Sequence, residues 1–157
     1  MAMTNQQQTE AYQFFVIAFG AAPGVEYMAQ ICDAYNAGLL TQQIANIYTT
    51  KAQFTSTYPT FFTSEQFAAA LINNLVGSSA SAAAKAEAQA DIVGALNAGW
   101  SRGDVVYQIF TNLAAKDPAD PMWGATSTLL ANKVAVAKYV TEVQLNGSTD
   151  VSVLQGV

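Results

Sequence analysis

Histidine is absent and cysteine occurs once, so the side chains behind most nucleophilic and transition-metal chemistry are all but missing. Without histidine there is no Ser-His or Cys-His pair, and a single thiol cannot build a zinc site from the usual donors. Charge is scarce as well: 11% of residues are Asp, Glu, Lys or Arg, against roughly 25% in ordinary soluble domains. The six basic residues, Lys51, Lys85, Arg102, Lys116, Lys133 and Lys138, are scattered, and the net charge is −5. Nucleic acid and anionic membrane surfaces need a basic patch and are disfavoured as partners. No phosphate-binding glycine loop occurs, since Gly20-Ala21-Ala22-Pro23-Gly24 fails the spacing. Sustained apolar–polar alternation is also missing, which puts β content near zero, except in the tail Asp150-Val151-Ser152-Val153-Leu154.

What is present is apolar and neutral. Of the 157 residues 52% are apolar, enough to bury roughly two-thirds of the unfolded surface in one core without a metal or disulfide. The surface is left to Gln, Asn, Ser, Thr and Ala, as in Thr4-Asn5-Gln6-Gln7-Gln8-Thr9, Thr41-Gln42-Gln43 and Ser78-Ser79-Ala80-Ser81. Such a surface carries little repulsion between copies, so the chain is either a lattice or filament former or a weakly charged monomer. Cys32, among Met28, Ile31 and Tyr35, is expected to be a buried structural thiol. The apolar stretch from Phe14 to Ala22 mimics a signal peptide, but residues 1–13 hold no Lys or Arg and the stretch is too short to span a bilayer. A buried helix is expected there, and export, if it occurs, without an N-terminal signal.

Helix punctuation recurs along the chain. Thr4 with Gln7 and Thr63 with Gln66 have capping-box spacing, and Ser101 with Asp104 has the related acidic form. The first helix runs through Tyr12, Phe15, Val16 and Phe19 to Gly20 and Pro23, and the second carries Val25, Met28, Ile31, Cys32 and Tyr35 to Gly38. Thr41 opens a short helix with Ile44, Ile47 and Tyr48 inward. Residues 49–62, interrupted by Tyr58-Pro59, read as an aromatic-rich loop packed on the core. Further helices are expected through Phe67, Leu71 and Leu75, over the alanine-rich Ser81–Gly99, from Ser101 through Leu113, and from Asp120-Pro121-Met122-Trp123 through Val140.

The expected fold is therefore all-α, a compact bundle of about six to seven helices. Tyr35-Asn36-Ala37-Gly38-Leu39 and Leu96-Asn97-Ala98-Gly99-Trp100 match at a spacing of 61 residues, each joining a longer helix to a shorter one, so the bundle reads as two degenerate helical repeats. Residues 1–146 form one helical domain, with repeats at about 11–62 and 63–115 and a C-terminal long helix at 121–143. Residues 147–157 are a tail or linker, and its apolar end belongs either to a longer polypeptide or to pairing with another copy.

Ala11-Tyr12-Gln13-Phe14-Phe15, Ala21-Ala22-Pro23-Gly24-Val25-Glu26-Tyr27, Asn36-Ala37-Gly38, Lys51-Ala52-Gln53-Phe54 and Leu130-Ala131-Asn132-Lys133-Val134-Ala135-Val136-Ala137 together carry a resemblance. Over residues 11–143 the chain resembles the helical repeat domain of unknown function found near the N-termini of bacterial surface-layer proteins and of type I-secreted calcium-repeat proteins. The resemblance implies an extracellular or cell-surface location, export directed from the other end of the polypeptide, and a role in lattice assembly or attachment to cell-surface polysaccharide. It departs from such proteins in lacking their glycine- and aspartate-rich calcium repeats.

Few residues are placed for chemistry. Tyr58, Trp100 and Trp123 lie in or beside loops, where their rings either stack on sugar faces or pin the loops to the domain. Asp117 and Asp120 offer hard oxygens for a weak calcium site, or simply cap helix ends. Glu87 and Asp91, one helical turn apart, are an acid–base pair for a glycan-acting enzyme or a solvated helix face. The expected function is a non-enzymatic extracellular module for surface-layer assembly or polysaccharide attachment. The alternatives are a self-polymerising filament or matrix subunit and, more remotely, a carboxylate-dependent enzyme. Copies of the chain and surface polysaccharide are the expected partners, and calcium the one conceivable cofactor.

Overall fold

The structure is a computed structural model that describes residues 3–144 and residue 155. It is all-α, and no strand occurs among the described residues. Among the described residues eight α-helices follow in order: α1 Asn5–Phe19, α2 Gly24–Asn36, α3 Thr41–Tyr48, α4 Ala52–Thr55, α5 Ser64–Val76, α6 Ala82–Asn97, α7 Arg102–Ala114 and α8 Gly124–Lys138. A π-helical turn, Tyr139–Val143, continues α8.

Helix α1 is the axis of the bundle. The Thr4 hydroxyl accepts from the Gln7 backbone N–H at 3.0 Å and the Gln7 side chain accepts from the Thr4 N–H at 2.9 Å, which fixes its start. Gly20, at φ 60°, ends it in the left-handed conformation that favours glycine. From Ala11 to Phe19 every residue except Gln13 is buried, so the helix is apolar on all sides and must be surrounded by others. It packs against α8, α7, α3 and α4. Phe15 meets Phe19 and Tyr27 with ring centroids 4.9 and 5.2 Å apart, at the centre of an aromatic cluster that extends to Tyr48 and Phe54. Burying each such ring stabilises the fold by about 1.5–3 kcal/mol. The segment that mimics a signal peptide is thus the core helix expected of it.

Several expectations are corrected. The single turn α4 lies inside the segment 49–62 expected as loop, because the Lys51 carbonyl accepts from both Phe54 and Thr55 and so seeds one helical turn that buries Phe54 completely. This turn accounts for the count of eight helices instead of six to seven. Phe61, in the same segment, is 80% exposed and does not pack on the core. In α3 the inner face is Thr41, Ile44, Ala45 and Tyr48, and Ile47, roughly 100° around the helix from them, faces outward. Val25 in α2 faces outward too, and Cys32 is half-buried at the edge of that helix's apolar stripe. The last helix begins at Gly124, not at Asp120. The Asp120 carboxylate holds the N–H groups of Met122 and Trp123 in a turn at 2.9 and 2.8 Å, and helical geometry starts only beyond it.

The two Asn-Ala-Gly junctions have one geometry. Gly38 and Gly99 sit at φ 93° and 100°, and the following residues, Leu39 and Trp100, donate to the carbonyls of Ala34 and Ala95 at 3.1 Å in each case. The helices they join pair differently: α6 lies against α5 as a close antiparallel hairpin, whereas α2 lies against α3 and the π-helical turn. The tail from residue 147, with the strand considered at 150–154, lies outside the described residues apart from Gln155. The Gln155 amide donates to the Phe19 carbonyl at 2.9 Å.

Helix α3 crosses α7 closely at Gly103, where a Cβ would lie 2.6 Å from the Asn46 Cα and 2.7 Å from its N. A polar clamp surrounds the crossing. The Asp104 carboxylate accepts from Gln42 Nε2 at 2.8 Å and Asn46 Nδ2 at 2.9 Å, while the Ser101 hydroxyl binds Asn46 Oδ1.

Candidate functional site

The hairpin α5–α6 holds α6 against α5 more tightly than against α7, and between α6 and α7 lies a groove of about 890 Å3. A volume of that size suits an extended small ligand or a short polymer segment. Its floor is the buried side of Ile72, Val76, Ile92 and Val105. The α6 bank carries Glu87 and Asp91, one helical turn apart and both exposed. The α7 bank carries two amides, and Gln108 Nε2 donates to Asn112 Oδ1 at 2.8 Å. Trp100, 43% exposed on the α6–α7 turn, closes one end. Asp120, Met122 and the half-buried Trp123, on the α7–α8 connection, form the other.

The structure therefore brings together Trp100 and Trp123, which are far apart in sequence, and adds Glu87, Asp91 and Asp120 to the same lining. Tyr58 is not among them. Its ring is 2% exposed, packed 4.9 Å from Phe54 and 5.4 Å from Phe67, and its hydroxyl accepts from Asn74 Nδ2 at 3.1 Å. Burial pushes that hydroxyl's pKa up. A ring so enclosed has no face for a sugar, which removes Tyr58 from the stacking candidates and leaves it the structural role of pinning its loop. Arg102 completes that loop: its guanidinium donates to the carbonyls of Tyr58 at 2.7 Å and Pro59 at 3.0 Å and lies 4.6 Å from the Phe67 ring.

Asp117 and Asp120 act as turn caps. Asp117 Oδ1 accepts from the Ala119 N–H at 2.8 Å, and Asp120 Oδ1 takes the two N–H groups already described. Those backbone bonds hold the Asp120 pKa below the usual carboxylate range, with Lys116 nearby acting in the same direction. Among the described residues no three His, Cys, Asp or Glu side chains converge in a way that would hold a metal ion.

Gln108, Asn112 and Met122 were not legible as groove residues in the sequence. The amides fall on the polar side of α7 next to its Val105, Ile109 and Leu113 stripe, and only the divergence of α6 from α7 makes that side a bank. No family model, no curated protein and no solved structure matches the chain. Among the described residues no helix is long and apolar enough to cross a membrane.

Proposed function

We propose that the chain is a non-enzymatic extracellular module that attaches to cell-surface polysaccharide through the α6–α7 groove and so contributes to surface-layer assembly. The observation that carries this is the placement of Trp100 and Trp123 at the two ends of one groove whose banks are carboxylates and amides. Indole rings pack on the C–H faces of sugars, and carboxylates and amides take up their hydroxyl groups. The weakly charged surface and the resemblance to N-terminal domains of surface-layer and type I-secreted proteins support the cell-surface location and the export route.

The enzyme alternative needs two carboxylates flanking a scissile bond. Glu87 and Asp91 stand on the same bank, and opposite them α7 presents amides, which suits holding a glycan better than cleaving it. Polymerisation has one observation in its favour: Phe61, 80% exposed, projects from a loop that Arg102 braces.

The test is retention of the purified chain on cells with intact surface glycan. A Trp100→Ala/Trp123→Ala double variant that keeps its helical circular dichroism should lose retention. Retention unchanged in that variant, or no retention by the unaltered chain, refutes the proposal. Ordered assemblies that vanish with Phe61→Ala while glycan retention is absent would instead favour the filament reading.

A further inference from the structure

We infer that the groove takes a polysaccharide whose sugars carry free amines, and discriminates against carboxylated, sulfated or phosphorylated glycans. This rests on the glycan reading above and adds the ligand's charge to it.

The groove is lined by three carboxylates, Glu87, Asp91 and Asp120, and by one ammonium, Lys116. Asp120 is already committed to the Trp123 and Met122 N–H groups, and Lys116 acts on it more weakly in the same direction. Glu87 and Asp91 are different. Neither takes a hydrogen bond or an ion pair from any other described residue, and both face the groove from one bank. Two uncompensated carboxylates one turn apart are acceptors only. They match a ligand that presents donors, and a protonated amine presents donors together with the complementary charge. On the opposite bank Gln108 Nε2 donates to Asn112 Oδ1, and the amide N–H groups that remain are neutral, so three carboxylates against one ammonium set the sign of the groove and disfavour an anion.

An amphipathic cationic peptide would share the charge but not the shape. A helix docks through a wide apolar stripe, whereas here Ile72, Val76, Ile92, Val105 and Leu113 are each less than 7% exposed. Leu75 and Ile109 between them are half-buried, and the most exposed large apolar side chains of the lining are Trp100 and Met122, with the half-buried Trp123 beside Met122, at the ends, where flat rings suit sugars. The spacing of those ends follows α7, about 20 Å for its thirteen residues at 1.5 Å each, a run of several sugars.

Calorimetric titration of the full chain with glucosamine, N-acetylglucosamine and galacturonic acid oligomers of equal length, at mildly acidic pH where the sugar amines are protonated, tests the inference. The glucosamine oligomer should bind about tenfold tighter than the acetylated one, as expected for an exposed ion pair at each of two carboxylates, and the galacturonate should not bind. A Glu87→Gln/Asp91→Asn variant should lose that advantage and keep its affinity for the acetylated oligomer. Equal or tighter binding of the acetylated oligomer overturns the charge assignment and leaves the glycan reading intact where Trp100→Ala abolishes the binding. No binding of the glucosamine oligomer also overturns it, while glycan attachment is then decided separately by retention on cells. An oligolysine of equal charge that binds as tightly as the glucosamine oligomer overturns it too, since the groove would then be reading charge without sugar.

Discussion

Substituting alanine for glycine at two helical positions should move stability in opposite directions. At Gly103 the added Cβ meets the Asn46 Cα at 2.6 Å and its N at 2.7 Å, about 1 Å inside ordinary contact. The obstacle is backbone, which cannot swing aside, so α3 and α7 must separate. Forcing a methyl into such a contact costs about 1–3 kcal/mol. Separation also stretches the Asp104 bonds to Gln42 and Asn46, now 2.8 and 2.9 Å. Against this stands the helix propensity of alanine over glycine, worth at most about 1 kcal/mol. Gly103→Ala should therefore destabilise by about 2 kcal/mol. Gly94, in the last turn of α6, has no atom within 4 Å of its would-be Cβ, so Gly94→Ala keeps only the propensity gain and should stabilise by up to about 1 kcal/mol. Urea unfolding followed by far-ultraviolet circular dichroism measures both. With a slope of about 2 kcal/mol per molar urea, the midpoint should fall by roughly 1 M for Gly103→Ala and rise by up to about 0.5 M for Gly94→Ala. A Gly103→Ala midpoint at or above that of the unaltered chain, or shifts of the same sign in both variants, refutes the account of the α3–α7 crossing.

The hydrogen bonds of Asn46 and Gln42 hold the Asp104 carboxyl at about 2, below its ordinary 3.8. A folded pKa below the unfolded one means that its stabilisation is present above the unfolded value and is lost as pH falls through the folded one. Asp104→Asn should cost about 1 kcal/mol at neutral pH, a figure kept small by solvent screening, and melting curves of the two proteins should converge as pH drops from 3.8 towards about 2. A difference that persists unchanged at the acid end refutes this. Arg102→Lys replaces a planar fork that spans two carbonyls with a point charge that holds one, so chymotrypsin should cut at Phe61 or Phe62 several-fold faster. An unchanged cleavage rate would show that the loop is held by other contacts. The Tyr12 hydroxyl is buried without a hydrogen-bond partner of good geometry among the described residues, and burial beside Glu142 pushes its pKa well up. Tyr12→Phe should raise stability by about 1 kcal/mol, and a loss of that size in urea unfolding would show instead that Thr141 or Glu142 bonds it.

Local rules carried most of the fold. Thr4, Thr63 and Ser101 start helices where capping spacing places them, because a cap involves only four consecutive residues and the sequence displays all of them. The places that misled are those where a neighbour decides. Asp120 begins a helix on sequence grounds, but its carboxylate serves the N–H groups of Met122 and Trp123, and the helix starts one turn later. Ile47 satisfies helical spacing as well as Ala45 does. The choice of face belongs to α7, which approaches closely enough for Gly103 to touch Asn46, and the smaller residue goes inward. Tyr58 and Trp100 were equivalent as loop-adjacent aromatics, yet one is sealed against Phe54 and Phe67 and the other left 43% exposed.

The groove shows how the same local signal leads to different surroundings. Both Asn-Ala-Gly junctions reverse the chain with the same left-handed glycine and the same bond from the next residue back to an alanine carbonyl. After the first, α3 turns its small Thr41 and Ala45 face inward and packs across α7. After the second, α7 is already engaged by α3 and α1, while the alanine-rich α6 nestles against α5. Alanines permit that close approach and leave α6 with little bulk to reach towards α7. The gap is then bordered by whatever α6 and α7 carry on their diverging faces, which is Glu87 and Asp91 on one side and Gln108 and Asn112 on the other. Filling it from within tests whether the gap matters. Ala88→Leu, at a half-buried groove position on α6, should leave urea stability within about 0.5 kcal/mol, as for an accommodated surface change, while abolishing glycan retention. Retention that survives with the groove so occupied would place the binding surface elsewhere on the bundle.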